Sequence, residues 1–121
     1  MKPRTLTLGR SKRLTTSAQF ARVREGGRVY RGALLTIGIA IEEKASSFRA
    51  GFITSRKVGG AVVRNRVRRR LREIVRKHQT ELRSGISIVT IARPAAARSS
   101  YGVLEEEWLR LAKRASILAR S

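Results

Sequence analysis

The chain has 121 residues, enough for one domain with a modest core. Lys and Arg number 28 against 8 acidic residues, a formal net charge of +20, with a hydrophobic fraction of 41% and no cysteine. That composition excludes disulfide frameworks and thiolate metal sites, and it is too apolar for a disordered basic tail. No apolar run approaches the ~20 residues of a membrane span. Such a charge points to a polyanion, and nucleic acid is the abundant one. Arg outnumbers Lys by 22 to 6, which favours bidentate phosphate contacts and stacking on bases over point-charge attraction.

Residues 1–13 carry Lys2, Arg4, Arg10, Lys12 and Arg13, with Pro3 and Gly9. They read as a basic arm; no apolar segment follows, so they do not read as a signal peptide. Residues 14–121 read as a single RNA-binding domain. Thr16 and Gln19 match a capping box, which predicts a short helix from about Ser17, ended by Gly26-Gly27. Phe20 and Val23 share one face of it. Residues 28–33 suggest a short edge strand. Leu34 to Ile41 is apolar on both faces and predicts a central strand. Glu42 to Ser47 reads as a turn, and Phe48 to Ser55 as another strand.

The spacing then predicts a helix from about Ala61 to His78. Val63, Val67, Leu71, Ile74, Val75 and His78 form its apolar stripe. From Arg56 to Lys77 there are ten basic residues and one acid, Glu73. Arg64, Arg68 and Arg72 form a row beside the stripe, and Arg66, Arg69, Arg70 and Arg76 widen the basic face. A solvated helix would interleave acidic i+4 partners, which are missing here. Ile86 to Ala92 predicts a strand after Gly85, closed by Arg93-Pro94. A last helix starts around Ser99 or Ser100. Its buried side is Leu104, Trp108, Leu111, Ala112 and Ala115, and Glu105 to Glu107 read as solvated residues favoured by the helix dipole. The expected fold class is α+β, an α-β-β-β-α-β-α sandwich. Its single mixed sheet has helices largely on one face and a parallel pair across residues 48–92.

Protein catalysis finds little support. His78 is the lone histidine, there is no aspartate, and it ends the core stripe, where packing or capping suits it. No carboxylates cluster as a metal site, and no serine has a triad. Gly59-Gly60 before the basic helix could approach a phosphate, but the full phosphate-loop pattern is lacking. Arg56 and Lys57 precede it. Asn65 is the neutral amide in the basic row, able to donate and accept towards a ribose hydroxyl, a base edge or water.

The run Ser55-Arg56-Lys57-Val58-Gly59, Ala61-Val62, Arg64-Asn65-Arg66, then Arg68, Arg69, Leu71, Arg72 and Glu73 resembles the signature of the bacterial ribonuclease P protein subunit. The resemblance extends to Leu14, Phe20, Val23 and Gly27, and to Ile91-Ala92-Arg93-Pro94. It implies a ribosomal-protein domain 2-like fold with a left-handed βαβ crossover, against the usual rule. It also implies a catalytic RNA partner whose magnesium ions carry out hydrolysis, with none held by the protein alone. Arg56, Lys57, Arg64, Asn65, Arg66, Arg68, Arg69 and Arg72 would contact that RNA and help place its metal ions. Phe20, Arg24 and Tyr30 would line a cleft for the single-stranded 5′ leader of precursor tRNA. A cytoplasmic protein is expected, with no membrane contact and no obligate protein partner. Two positions depart from the pattern. Arg24 stands where a second aromatic is common, and Arg70 where a neutral residue is usual, which splays Arg70 to solvent or RNA. Phe20 and Tyr30 each have two readings, a core aromatic or a cleft aromatic. An rRNA-binding module of ribosomal-protein type would fit the same charge and fold. A DNA-binding helix fits less well, because a strand precedes the basic helix where a helix-turn-helix needs a helix.

Overall fold

The computed structural model describes residues 21, 23, 25–41 and 47–118. The backbone is helical at residues 21, 23, 25 and 26 and stops at Gly27, whose N–H donates to the Val23 carbonyl at 2.9 Å. The expected capping box at Thr16 lies outside the described residues. Then follow β1 (Arg28–Arg31), β2 (Leu35–Ile41), β3 (Arg49–Ile53), α1 (Ala61–Lys77), β4 (Ile86–Ala92) and α2 (Tyr101–Arg114). Short 3-10 turns at Gln79–Glu81 and Pro94–Arg98 lead into β4 and α2.

The four strands lie in the order β1-β2-β4-β3. β2 pairs antiparallel with β1 and β4, so it is central, as its apolar run predicts. β3 and β4 pair parallel, Arg49 opposite Ser87 through Ile53 opposite Ile91. A parallel pair needs a long crossover, and α1 supplies it.

Strand periodicity decides the two faces. Leu35, Ile37, Ile39, Ala50, Ile86, Ile88 and Ala92 face one side and pack with Val67, Leu71, Ile74 and Val75 of α1 and Leu104, Trp108, Leu111 and Ala112 of α2. Both described helices therefore cover this side. Thr90 also points into it, and the Trp108 indole N–H donates to its hydroxyl at 3.1 Å, so the buried polar pair is satisfied. The opposite side holds a smaller cluster of Val23, Ala40 and Val89, with Ile53 and Ile91 against it. α2 begins where expected: Ser100 is its N-cap, and its hydroxyl accepts from the Val103 N–H. No described helix is long and apolar enough to cross a membrane.

Candidate nucleic-acid interface

The turn from β3 into α1 places the first basic residues. Val58 is buried and anchors the turn, while Arg56 and Lys57 just before it stand exposed. Gly59 has φ 153°, and a Cβ there would come within 3.0 Å of the Val63 side chain, so only glycine lets the chain enter the helix this tightly. Gly60 is the N-cap without a side-chain bond, and the first turn of α1 holds no acid. The positive end of the helix dipole is left to whatever anion approaches it.

Burial of Val67, Leu71, Ile74 and Val75 fixes the rotation of α1 and so aims its arginines. Asn65, Arg69 and Arg72 are exposed, and among the described residues no hydrogen bond or ion pair engages Arg69 or Arg72. Arg64 and Arg68 lie half-buried on the flank nearest β3. Arg68 Nη2 donates to the Thr54 hydroxyl at 2.7 Å and its Nη1 to Asn65 Oδ1 at 3.2 Å. Arg64 Nε is shielded from solvent without a hydrogen-bond partner among the described residues.

The other flank is committed internally. Arg66 Nη2 donates to the Ala97 carbonyl at 3.1 Å and Arg70 Nη1 to the Ser99 carbonyl at 2.8 Å. Arg70 is therefore a strut that ties α1 to the turn before α2, which corrects its expected splaying; the unpaired carbonyl before a helix attracts a guanidinium in reach. Arg76 pairs with Glu73 and Lys77 with Glu105. The ten basic residues thus divide. Arg56, Lys57, Arg64, Arg69 and Arg72 remain available to a polyanion, and the others also hold the fold.

On the sheet side away from both helices, Val23, Val29, Thr36, Gly38, Ile53, Val89 and Ile91 line a shallow apolar groove. It ends at Ile53, one residue from Thr54 and the Arg68 flank. Tyr30 does not enter it. Tyr30 pairs with Ile37 and packs on the main core, whereas Val29, paired with Gly38, faces the groove. Alternation along β1 forces this exchange. Phe20 and Arg24, the other expected cleft residues, lie outside the described residues.

The family description Ribonuclease P matches residues 8–116. A ribonuclease P protein component from Syntrophomonas wolfei is 36% identical over 94% of this chain and 95% of its own length. One from Roseiflexus castenholzii is 41% identical over 90% of this chain and 89% of its own. A solved Staphylococcus aureus RNase P protein mutant superimposes with a TM-score of 0.84 at 25% identity, covering 89% of this chain and 91% of that one. The chain belongs to the ribonuclease P protein family. As a ribonuclease P protein it is a subunit of an endoribonuclease of tRNA processing, with ribonuclease P RNA as partner. The rRNA-module alternative shares the charge and the fold but not this match.

Within this ribonuclease P protein the carboxylates have structural work that their sequence positions hide. His78 caps α1, and its ring stacks on Trp108 with centroids 6.4 Å apart. Its Nδ1 lies 2.7 Å from Glu81 Oε2 and its Nε2 2.8 Å from Glu105 Oε2. Packing and capping are thus its role, as expected. Glu105 and Glu107 are not simply solvated, which corrects the dipole reading. Glu107 is 5% exposed, and its Oε2 accepts from the N–H groups of Leu34 and Leu35, each at 2.7 Å. Gly32 makes room for it: a Cβ there would stand 2.7 Å from the carboxylate. Helical spacing carried the signal, since position 107 falls between Leu104, Trp108 and Leu111 on the buried stripe.

The hydrogen bond from His78, with help from Lys77, holds the Glu105 carboxyl below the ordinary glutamate range. A depressed folded value means that ionised Glu105 stabilises the fold above its unfolded value of about 4.3, and that this contribution fades as pH falls through the folded value. Urea midpoints followed downward from neutral pH should therefore drop in the acid range. Glu105→Gln should start lower at neutral pH and show a shallower drop; parallel curves would contradict the coupling.

Proposed function

We propose that this chain grips the catalytic RNA of ribonuclease P with the exposed face of α1 and steers the 5′ leader of precursor tRNA along the groove behind the sheet. The observation that carries the reading is the outward row of Arg56, Lys57, Arg69 and Arg72, which no acid of the described residues neutralises, together with an apolar groove on the other side of the sheet. Guanidinium groups bridge phosphates bidentately, and they relieve the repulsion between RNA strands brought close together. The groove would shelter bases, and an unpaired leader has bases to offer.

Magnesium would be held by the RNA in this scheme. Among the described residues no group of three or more His, Cys, Asp or Glu could hold a metal ion. On the basic face Asn65 Oδ1 already accepts from Arg68. What the chain contributes is binding and orientation, and no proton transfer is assigned to it.

Reconstitution tests the reading. Catalytic RNA, magnesium and this chain together should cut precursor tRNA at the mature 5′ end, and the chain alone should leave the precursor intact. Cleavage by RNA-free chain that survives nuclease treatment would refute it. The leader part has its own test. Phe20→Ala and Arg24→Ala should weaken holoenzyme binding of precursor more than of mature tRNA, because stacking is worth ~1–3 kcal/mol per base. Equal losses for both ligands, with circular dichroism showing an intact fold, would mean that these residues do not read the leader.

A further inference from the structure

Thr54 follows β3 and is 6% exposed, a hydroxyl buried at the seam between the sheet and α1. Its Oγ1 accepts from Arg68 Nη2 at 2.7 Å, and the same guanidinium donates through Nη1 to Asn65 Oδ1 at 3.2 Å. The guanidinium is planar and rigid, so fixing one nitrogen fixes the direction of the other. An amide whose oxygen is turned to Arg68 turns its NH2 the other way. Asn65 is exposed on the available face. A bond to an exposed amide adds little to stability, whereas it does decide which end of Asn65 meets a ligand.

We propose that Thr54 is a positioning residue for RNA binding: through Arg68 it holds Asn65 with its amide N–H donors outward, towards a phosphate or ribose oxygen. The inference rests on the reading that the α1 face binds the catalytic RNA. It narrows Asn65 from a group that could donate or accept to one that donates. It also makes Arg68 part of the orienting device, with its remaining N–H groups left for phosphate.

The test measures affinity for the in vitro transcript of the catalytic RNA from the same genome, with melting of each free variant as a fold control. Thr54→Val should weaken binding about 2- to 10-fold, the net worth of one hydrogen bond. Thr54→Ser, which keeps the hydroxyl, should restore it. Thr54→Val removes no charge, so the salt slope should stay put, and the change should add nothing in an Asn65→Ala background. Asn65→Asp keeps the oxygen that faces Arg68 but loses the donors, and should bind more weakly than wild type even if Thr54→Val fails to fold. Arg72→Ala separates the two readings. If it weakens binding while Thr54→Val or Asn65→Asp binds as wild type, or if the Thr54 loss persists without Asn65, the positioning role is overturned and the face stands. If Arg72→Ala and all the others bind as wild type, the face itself has been misplaced.

Discussion

Raising salt from about 50 to about 200 mM should cost this chain roughly 10³–10⁵ in affinity for its RNA, the loss for about 6–10 neutralised phosphates. The net charge of +20 sets the scale, and the five basic residues left available around α1 supply part of that number. Among the described residues, Arg56, Lys57, Arg64, Arg69 and Arg72 have no acid to leave before meeting a phosphate. Arg76 and Lys77 already sit with Glu73 and Glu105, so they should release few counterions. Filter binding across a salt series gives the slope directly. A flat profile would remove the phosphate reading altogether.

Glu107→Ala should destabilise the fold by roughly 2–6 kcal/mol, from two N–H donors left unpaired at about 1–3 kcal/mol each. The carboxylate is the acceptor for both Leu34 and Leu35, so it pins the β1–β2 turn to α2. A small domain has about 5–15 kcal/mol in hand, which makes this a large share. Glu107→Gln keeps one oxygen and should lose less. Urea unfolding of the three proteins is the check. A midpoint for Glu107→Ala equal to wild type would show that the turn does not depend on the carboxylate.

Much of the fold was legible because its signals are local. β2 reads as central from an unbroken apolar run, α1 from the Val67, Leu71, Ile74 stripe, and α2 from its Ser100 cap. The parallel pairing of β3 and β4 followed from a helix lying between them. The dense charge of α1 was legible from ten basic residues with one acid, but not which of them the fold itself engages. Contacts between distant segments were hidden. Nothing in the residues around Arg70 says that the Ser99 carbonyl, 29 residues on, lies within reach. Thr54 gave no signal, since its role needs Arg68 turned toward the end of β3. Tyr30 stayed between core and cleft because a four-residue strand offers too little alternation to settle its face; pairing with β2 turns it to the main core.

RNA docking on the face of α1, as proposed, is distinct from attraction to a generally basic surface. Two double variants, each removing two exposed charges, test it most directly: Arg69→Ala with Arg72→Ala on α1, and Lys113→Ala with Arg114→Ala at the far end of α2. Affinity for the catalytic RNA should fall sharply for the α1 pair, with the salt slope lower by about two phosphates' worth. The α2 pair should bind close to wild type with its slope unchanged. Equal losses and equal slopes for the two pairs would contradict the account.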